Sequence, residues 1–121
     1  VGCYDGYILH KLKKKNYKVE GCEPSAGADI ANSYGLNVYK GFFNKKNFFK
    51  KKYDLILIDG PNGERYGRGG FYKYLDWFNT TVPIVFDDVN REPERILMEK
   101  VSKKIGRDYV ISEDDMFGVI I

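Results

Sequence analysis

Hydrophobic and polar positions run along this chain with two alternating periods, and the switches between them mark its elements. Tyr7 to Lys15 sets Ile8, Leu9 and Leu12 on one side with lysines opposite, which predicts an amphipathic helix stopped by Asn16. Tyr17 to Cys22 alternates as a short strand ending at Glu23 and Pro24, and Ser25 is suited to cap a second helix running to Tyr34 and closed by Gly35. Leu36 to Lys40 predicts the next strand. Tyr53 to Ile58 and Val82 to Phe86 are short apolar runs of the kind seen in parallel strands buried on both faces. Phe71 to Phe78 predicts a helix, as does Glu92 to Ile105, with Leu97, Val101 and Ile105 on one face and Gly106 as its stop. Tyr109 to Ser112 and Phe117 to Ile121, separated by the acidic turn Glu113 to Asp115, predict an antiparallel hairpin.

Strand and helix in alternation predict an α/β fold: a mostly parallel sheet with helices on both faces and ligands beyond the carboxyl ends of the strands. Val1 to Gly6 reads as a strand end and a tight turn. The first strand is therefore expected to be truncated, and residues 1–121 to form a single domain.

Composition narrows the function classes. With 43% hydrophobic and 31% charged residues the chain is that of a globule, and its apolar runs fall far short of the roughly 20 residues of a membrane span. No membrane partner is expected, and a cytoplasmic location is. The net charge of +3 comes largely from the lysine runs Lys13 to Lys15, Lys45 to Lys46 and Lys50 to Lys52, which lack the regularly interleaved aromatics of a nucleic-acid surface. Nucleic acid is not an expected partner. Cys3 and Cys22 have neither the number for a disulfide scaffold nor the spacing of a zinc site, and read as buried thiols at strand ends.

The unusual chemistry collects after predicted strands. Gly2-Cys3-Tyr4-Asp5-Gly6 lies between a strand and a helix, where glycines admit close approach of a ligand. Glu23 closes the following strand about 20 residues on, where a carboxylate can accept both ribose hydroxyls of a nucleotide. The glycine-x-glycine-x-x-glycine turn of nicotinamide dehydrogenases is absent, since Tyr4 and Tyr7 stand in its way. Gly60 to Gly70 holds five glycines and a proline, which predicts a long functional loop. Asp59, Asp87, Asp88 and Asn90 follow two apolar strands whose adjacency would gather their oxygens, a donor set suited to magnesium, calcium or manganese. Otherwise Asp87 or Asp88 caps the next helix. His10, the one histidine, is expected to point away from the ligand edge.

Gly2 to Gly6 with Glu23-Pro24-Ser25 resembles motif I and the following acidic position of class I S-adenosylmethionine-dependent methyltransferases. Val1 to Phe43 is particularly similar to the sugar C-methyltransferases. The resemblance implies a Rossmann-like three-layer sandwich with S-adenosylmethionine as cofactor, held by Gly2, Cys3, Asp5, Gly6, Glu23, Pro24, Phe42 and Asp59. Within that set Gly2 and Asp5 would line the methionine end, Glu23 the ribose and Phe42 the adenine. Tyr4 stands where relatives often have glycine, and Lys40-Gly41-Phe42 lacks an acid that many use against the adenine amine. Asp59-Gly60-Pro61 with Arg65 to Arg68 resembles small-molecule and saccharide O-methyltransferases. That similarity implies an acceptor of either kind, Arg65 and Arg68 as its anion-binding fork, and Asp59 or Asp88 as base or metal ligand. The competing expectation is a catalytically inactive binding or scaffold domain.

Overall fold

The computed structural model describes residues 3–48, 52–60 and 69–121, and the chain divides into two compact units, Val1–Asn44 and Lys45–Ile121. In the first, helix α1 (Tyr7–Lys14) precedes strand β1 (Gly21–Glu23), helix α2 (Gly27–Ser33) and strand β2 (Val38–Lys40). β1 and β2 pair in parallel, Gly21 with Val38 and Glu23 with Lys40. Leu9, Ala28, Ala31, Leu36 and Val38 form the core, with Cys3 and Val19 packed against it. α1 ends where Asn16 takes a left-handed conformation, the role its sequence position predicts.

Two contacts close the β2 edge of this sheet at Val38. Asn32 donates from Nδ2 to the Val38 carbonyl at 2.8 Å and accepts the Val38 N–H on Oδ1 at 2.9 Å. A side-chain amide thus occupies main-chain groups of β2 that a further strand would need. The strand predicted from Tyr17 begins only at Gly21, whose N–H reaches Asn37 O at 3.0 Å, because β2 supplies no ladder partner earlier.

The second unit carries helix α3 (Lys45–Phe48), strand β3 (Ile56–Ile58), helix α4 (Gly69–Lys73), a 3₁₀ turn (Leu75–Trp77), strand β4 (Ile84–Asp87), helix α5 (Glu92–Ile105) and strands β5 (Tyr109–Ile111) and β6 (Phe117–Ile120). The sheet order is β3-β4-β6-β5, with β3 and β4 parallel and the other pairs antiparallel. α5 has Glu92 and Glu94 in its first turn and Lys103 and Lys104 in its last, matching charge to the helix dipole, and Gly106 ends it at φ 66°.

One face of this sheet is dry. Ile56, Ile58, Ile84, Phe86 and Ile120 are buried there. Phe86 and Gly118 are register partners, so they share that face; Phe71 of α4 meets Phe86 ring to ring at 5.8 Å, and a Cβ on Gly118 would run into Met98 of α5. Both helices therefore cover the same side.

These observations overturn the expected Rossmann-like three-layer sandwich with a mostly parallel sheet. The described residues form two small sheets, one of two parallel strands and one of four mixed strands. Parallel pairing is confined to two three-residue ladders, β6 lies antiparallel between β4 and β5, and α4 and α5 lie on one face of their sheet. The predicted C-terminal antiparallel hairpin is present as β5 and β6.

Candidate functional site

In the first unit a single buried carboxylate organises the predicted ligand edge. Glu23, the last residue of β1 and 7% exposed, accepts the Tyr4 N–H on Oε2 at 3.0 Å and the Ser25 N–H on Oε1 at 2.8 Å. Its own carbonyl accepts the Gly41 N–H at 3.0 Å. Three chain segments that are far apart in sequence, the Cys3 to Gly6 turn, Glu23 to Ser25, and Gly41 to Phe42, thus meet at one residue. Each carboxylate oxygen has two lone pairs, so each keeps one acceptor site after these bonds.

The backbone around Glu23 is equally constrained. Tyr4 adopts φ 44°, the left-handed region where glycine is usual, and a Cβ on Gly27 would come within 2.7 Å of the Tyr4 carbonyl carbon and oxygen. The first turn therefore rests directly on the start of α2. Ser25 Oγ accepts the Gly27 N–H at 3.1 Å just ahead of α2, whose capping residue is Ala26 rather than the expected Ser25. Asp5 Oδ1 accepts the Tyr7 N–H at 3.0 Å and steadies the first turn of α1. Phe42 is 79% exposed and Tyr4 66% exposed.

A cleft of about 260 Å³ is lined by Asp5, Gly6, Tyr7, His10 and Tyr34. His10 and Tyr34 approach ring to ring at 6.1 Å. The sequence reading set His10 aside; its one-turn spacing from Gly6 and Tyr7 is the signal that carries it to this cleft. Gly27 was also passed over, although its place in the small-residue run Ser25-Ala26-Gly27-Ala28 marks a close approach.

Cys22 is buried and Cys3 half-buried, and neither is part of a disulfide. Cys3 Sγ lies 2.7 Å from where a Cβ on Gly21 would be, on the same side as Leu9, whereas Cys22 follows Gly21 on the strand and points to the other face of β1. Burial, the largest influence, pushes the Cys3 thiol up from 9.0 to about 11. A raised folded value keeps the stability contribution intact below pH 9 and removes it as pH rises towards 11. Chemical denaturation across that window should show falling stability, flattened by Cys3→Ala, and iodoacetamide at pH 8 should modify Cys3 far more slowly in the folded chain than in denaturant.

In the second unit the parallel register of Ile58 with Phe86 sets Asp59 and Asp87 next to one another at the carboxyl ends of β3 and β4. The adjacency predicted for these two strands is present. Asp88 takes φ 62° and pairs with Arg91 Nη1 at 3.2 Å, its side chain 19% exposed. Asn90 is exposed and directs Nδ2 at Met116 Sδ, 3.6 Å away. Among the described residues no three His, Cys, Asp or Glu side chains are grouped to hold a metal ion. Gly2, Arg65 and Arg68 lie outside the described residues, as does most of the Gly60 to Gly70 loop. Pro24 follows Glu23 in the segment already described. No helix of the described residues is long and apolar enough to cross a membrane.

No family model, curated protein or solved structure matches the chain.

Proposed function

We propose that the first unit binds S-adenosylmethionine and that the protein is a cytoplasmic methyltransferase for a small-molecule or saccharide acceptor. The observation that carries this reading is the convergence of three segments on Glu23, whose buried carboxylate accepts the Tyr4 and Ser25 N–H groups and whose main-chain carbonyl accepts the Gly41 N–H. The residues suit the group: Glu23 keeps acceptor sites for the ribose hydroxyls, the exposed Phe42 ring offers a face for adenine, and Asp5 and the turn glycines border the methionine end. When bound, this cofactor supplies an electrophilic methyl carbon on a positively charged sulfur.

The chain's own residues would then have three tasks. Glu23 and Phe42 hold the nucleoside; the Tyr4 to Gly6 turn, fixed by Glu23 and Gly27, orients the donor end; and a carboxylate takes the proton when the acceptor is a hydroxyl. The reading uses no metal.

One observation favours the rival reading, an inactive binding or scaffold domain: both Glu23 oxygens already accept main-chain N–H groups, which is a sufficient structural reason for the residue. Phe42→Ala separates the two. With Phe42 79% exposed, the substitution should leave the melting temperature unchanged yet weaken S-adenosylmethionine binding about tenfold by calorimetry, the scale of one base–aromatic stack. An unchanged dissociation constant removes Phe42 from the site.

A further inference from the structure

We infer that the outer edge of β5 is a self-association surface, and that two copies of this chain pair through it about a twofold axis at Val110. Among the described residues strand β5 ends the four-stranded order, with β6 on its inner side. Ile121 N–H reaches Asp108 O at 3.0 Å and Ser112 N–H reaches Phe117 O at 2.9 Å, so residues 108 and 112 turn their main-chain groups towards β6. By strand alternation Val110 does the same, and Tyr109 and Ile111 aim theirs outwards. The short segment Tyr109-Val110-Ile111 has no lysine or proline, the residues that commonly block strand addition at an edge.

The side chains supply a reason for the partner to be a second copy. Register aligns Leu57 with Val85, Val85 with Val119 and Val119 with Val110, an aliphatic row across all four strands on the face opposite α4 and α5. Leu57, Val85 and Val119 are half-buried, while Val110 at the end of the row is 53% exposed. Antiparallel pairing about Val110 sets Val110 against Val110 of the second copy and continues the row without a break. Tyr109 then opposes Ile111 of the second copy, each pair exchanging both main-chain hydrogen bonds. Arg107 faces Glu113 and Asp108 faces Ser112, so no like charges meet across the axis. On the other face Tyr109 is engaged with α5, its hydroxyl 3.5 Å from Glu99 Oε1, and stays with its own subunit.

Sedimentation equilibrium of the chain over a wide concentration range tests this. The expected mass at high concentration is twice the 14.0 kDa of one chain, and Val110→Lys, which brings two ammonium groups together at the axis, should return it to the single-chain mass with the far-ultraviolet circular dichroism unchanged. Should that variant fail to fold, Val110→Cys decides. Directly opposed residues of a non-hydrogen-bonded pair lie about 4.5 Å apart at Cα, within disulfide reach, so mild oxidation should give a covalent dimer that the parent chain, with Cys3 and Cys22 alone, does not. A single-chain mass at every concentration, a dimer that persists in Val110→Lys, or no cross-link in Val110→Cys overturns the proposal.

Discussion

Replacing Gly6 by alanine should destabilise the first unit by about 3 kcal/mol, from a strained left-handed residue and an overpacked contact acting together. Gly6 sits at φ 78° as the residue preceding α1, and its carbonyl accepts the His10 N–H at 2.8 Å. A Cβ there would lie 2.5 Å from Leu36 Cδ1 and 2.8 Å from the Cβ of Ala31, both core residues. Moving Leu36 aside opens the core, and moving the turn breaks its seat on α2. Gly35→Ala is the control: its φ of 73° is similar, but the nearest atom to an added Cβ is the flexible Lys13 Nζ at 3.6 Å. The difference between the two midpoints in urea isolates the packing contribution, and equal midpoints would show that Gly6 is required for its backbone angle alone.

Glu23→Ala should abolish cofactor binding and also cost about 3 kcal/mol of stability, because two main-chain N–H groups lose a charged acceptor in a buried place. The two effects separate in a thermal-shift experiment. Ligand at a hundredfold excess over its dissociation constant stabilises the parent by about 2.7 kcal/mol, and the variant, though melting lower, should gain nothing from the same concentration. A variant that melts lower but keeps the full ligand shift would assign Glu23 to the fold alone.

What the sequence made legible was local. The span of α5 from Glu92 to Ile105 followed from a face of Leu97, Val101 and Ile105 between charged ends, with Gly106 free to adopt φ 66°. The hairpin of β5 and β6 followed from alternation around an acidic turn, whose Asp114 carboxylate accepts from Ser112 Oγ and Met116 N–H and is held below the usual carboxylate range, chiefly by the Ser112 bond. What failed was the joining of strands into layers. Apolar runs such as Tyr53 to Ile58 carry no record of how long a ladder they will find, and here only Ile56–Ile58 is paired. Nor does the sequence announce that Asn32 occupies main-chain groups of β2, or that α4 and α5 share one face, since both depend on contacts between distant residues.

The candidate site divides in the same way. Glu23 was identifiable from its distance after the glycine turn, but its partners Tyr4 N–H and Ser25 N–H were not, because main-chain donors leave no sequence signal. Tyr4 in place of glycine is accommodated by a left-handed backbone braced against Gly27. Asp88, expected as a base or metal ligand, pairs with the guanidinium of Arg91, three residues along the chain.

The most direct test is isothermal titration of this chain with S-adenosylmethionine. The account predicts saturable binding of one molecule per chain, retained in Gly35→Ala and lost in Glu23→Ala. Absence of saturable heat from a folded chain, or binding unaffected by the loss of the Glu23 carboxylate, would contradict it.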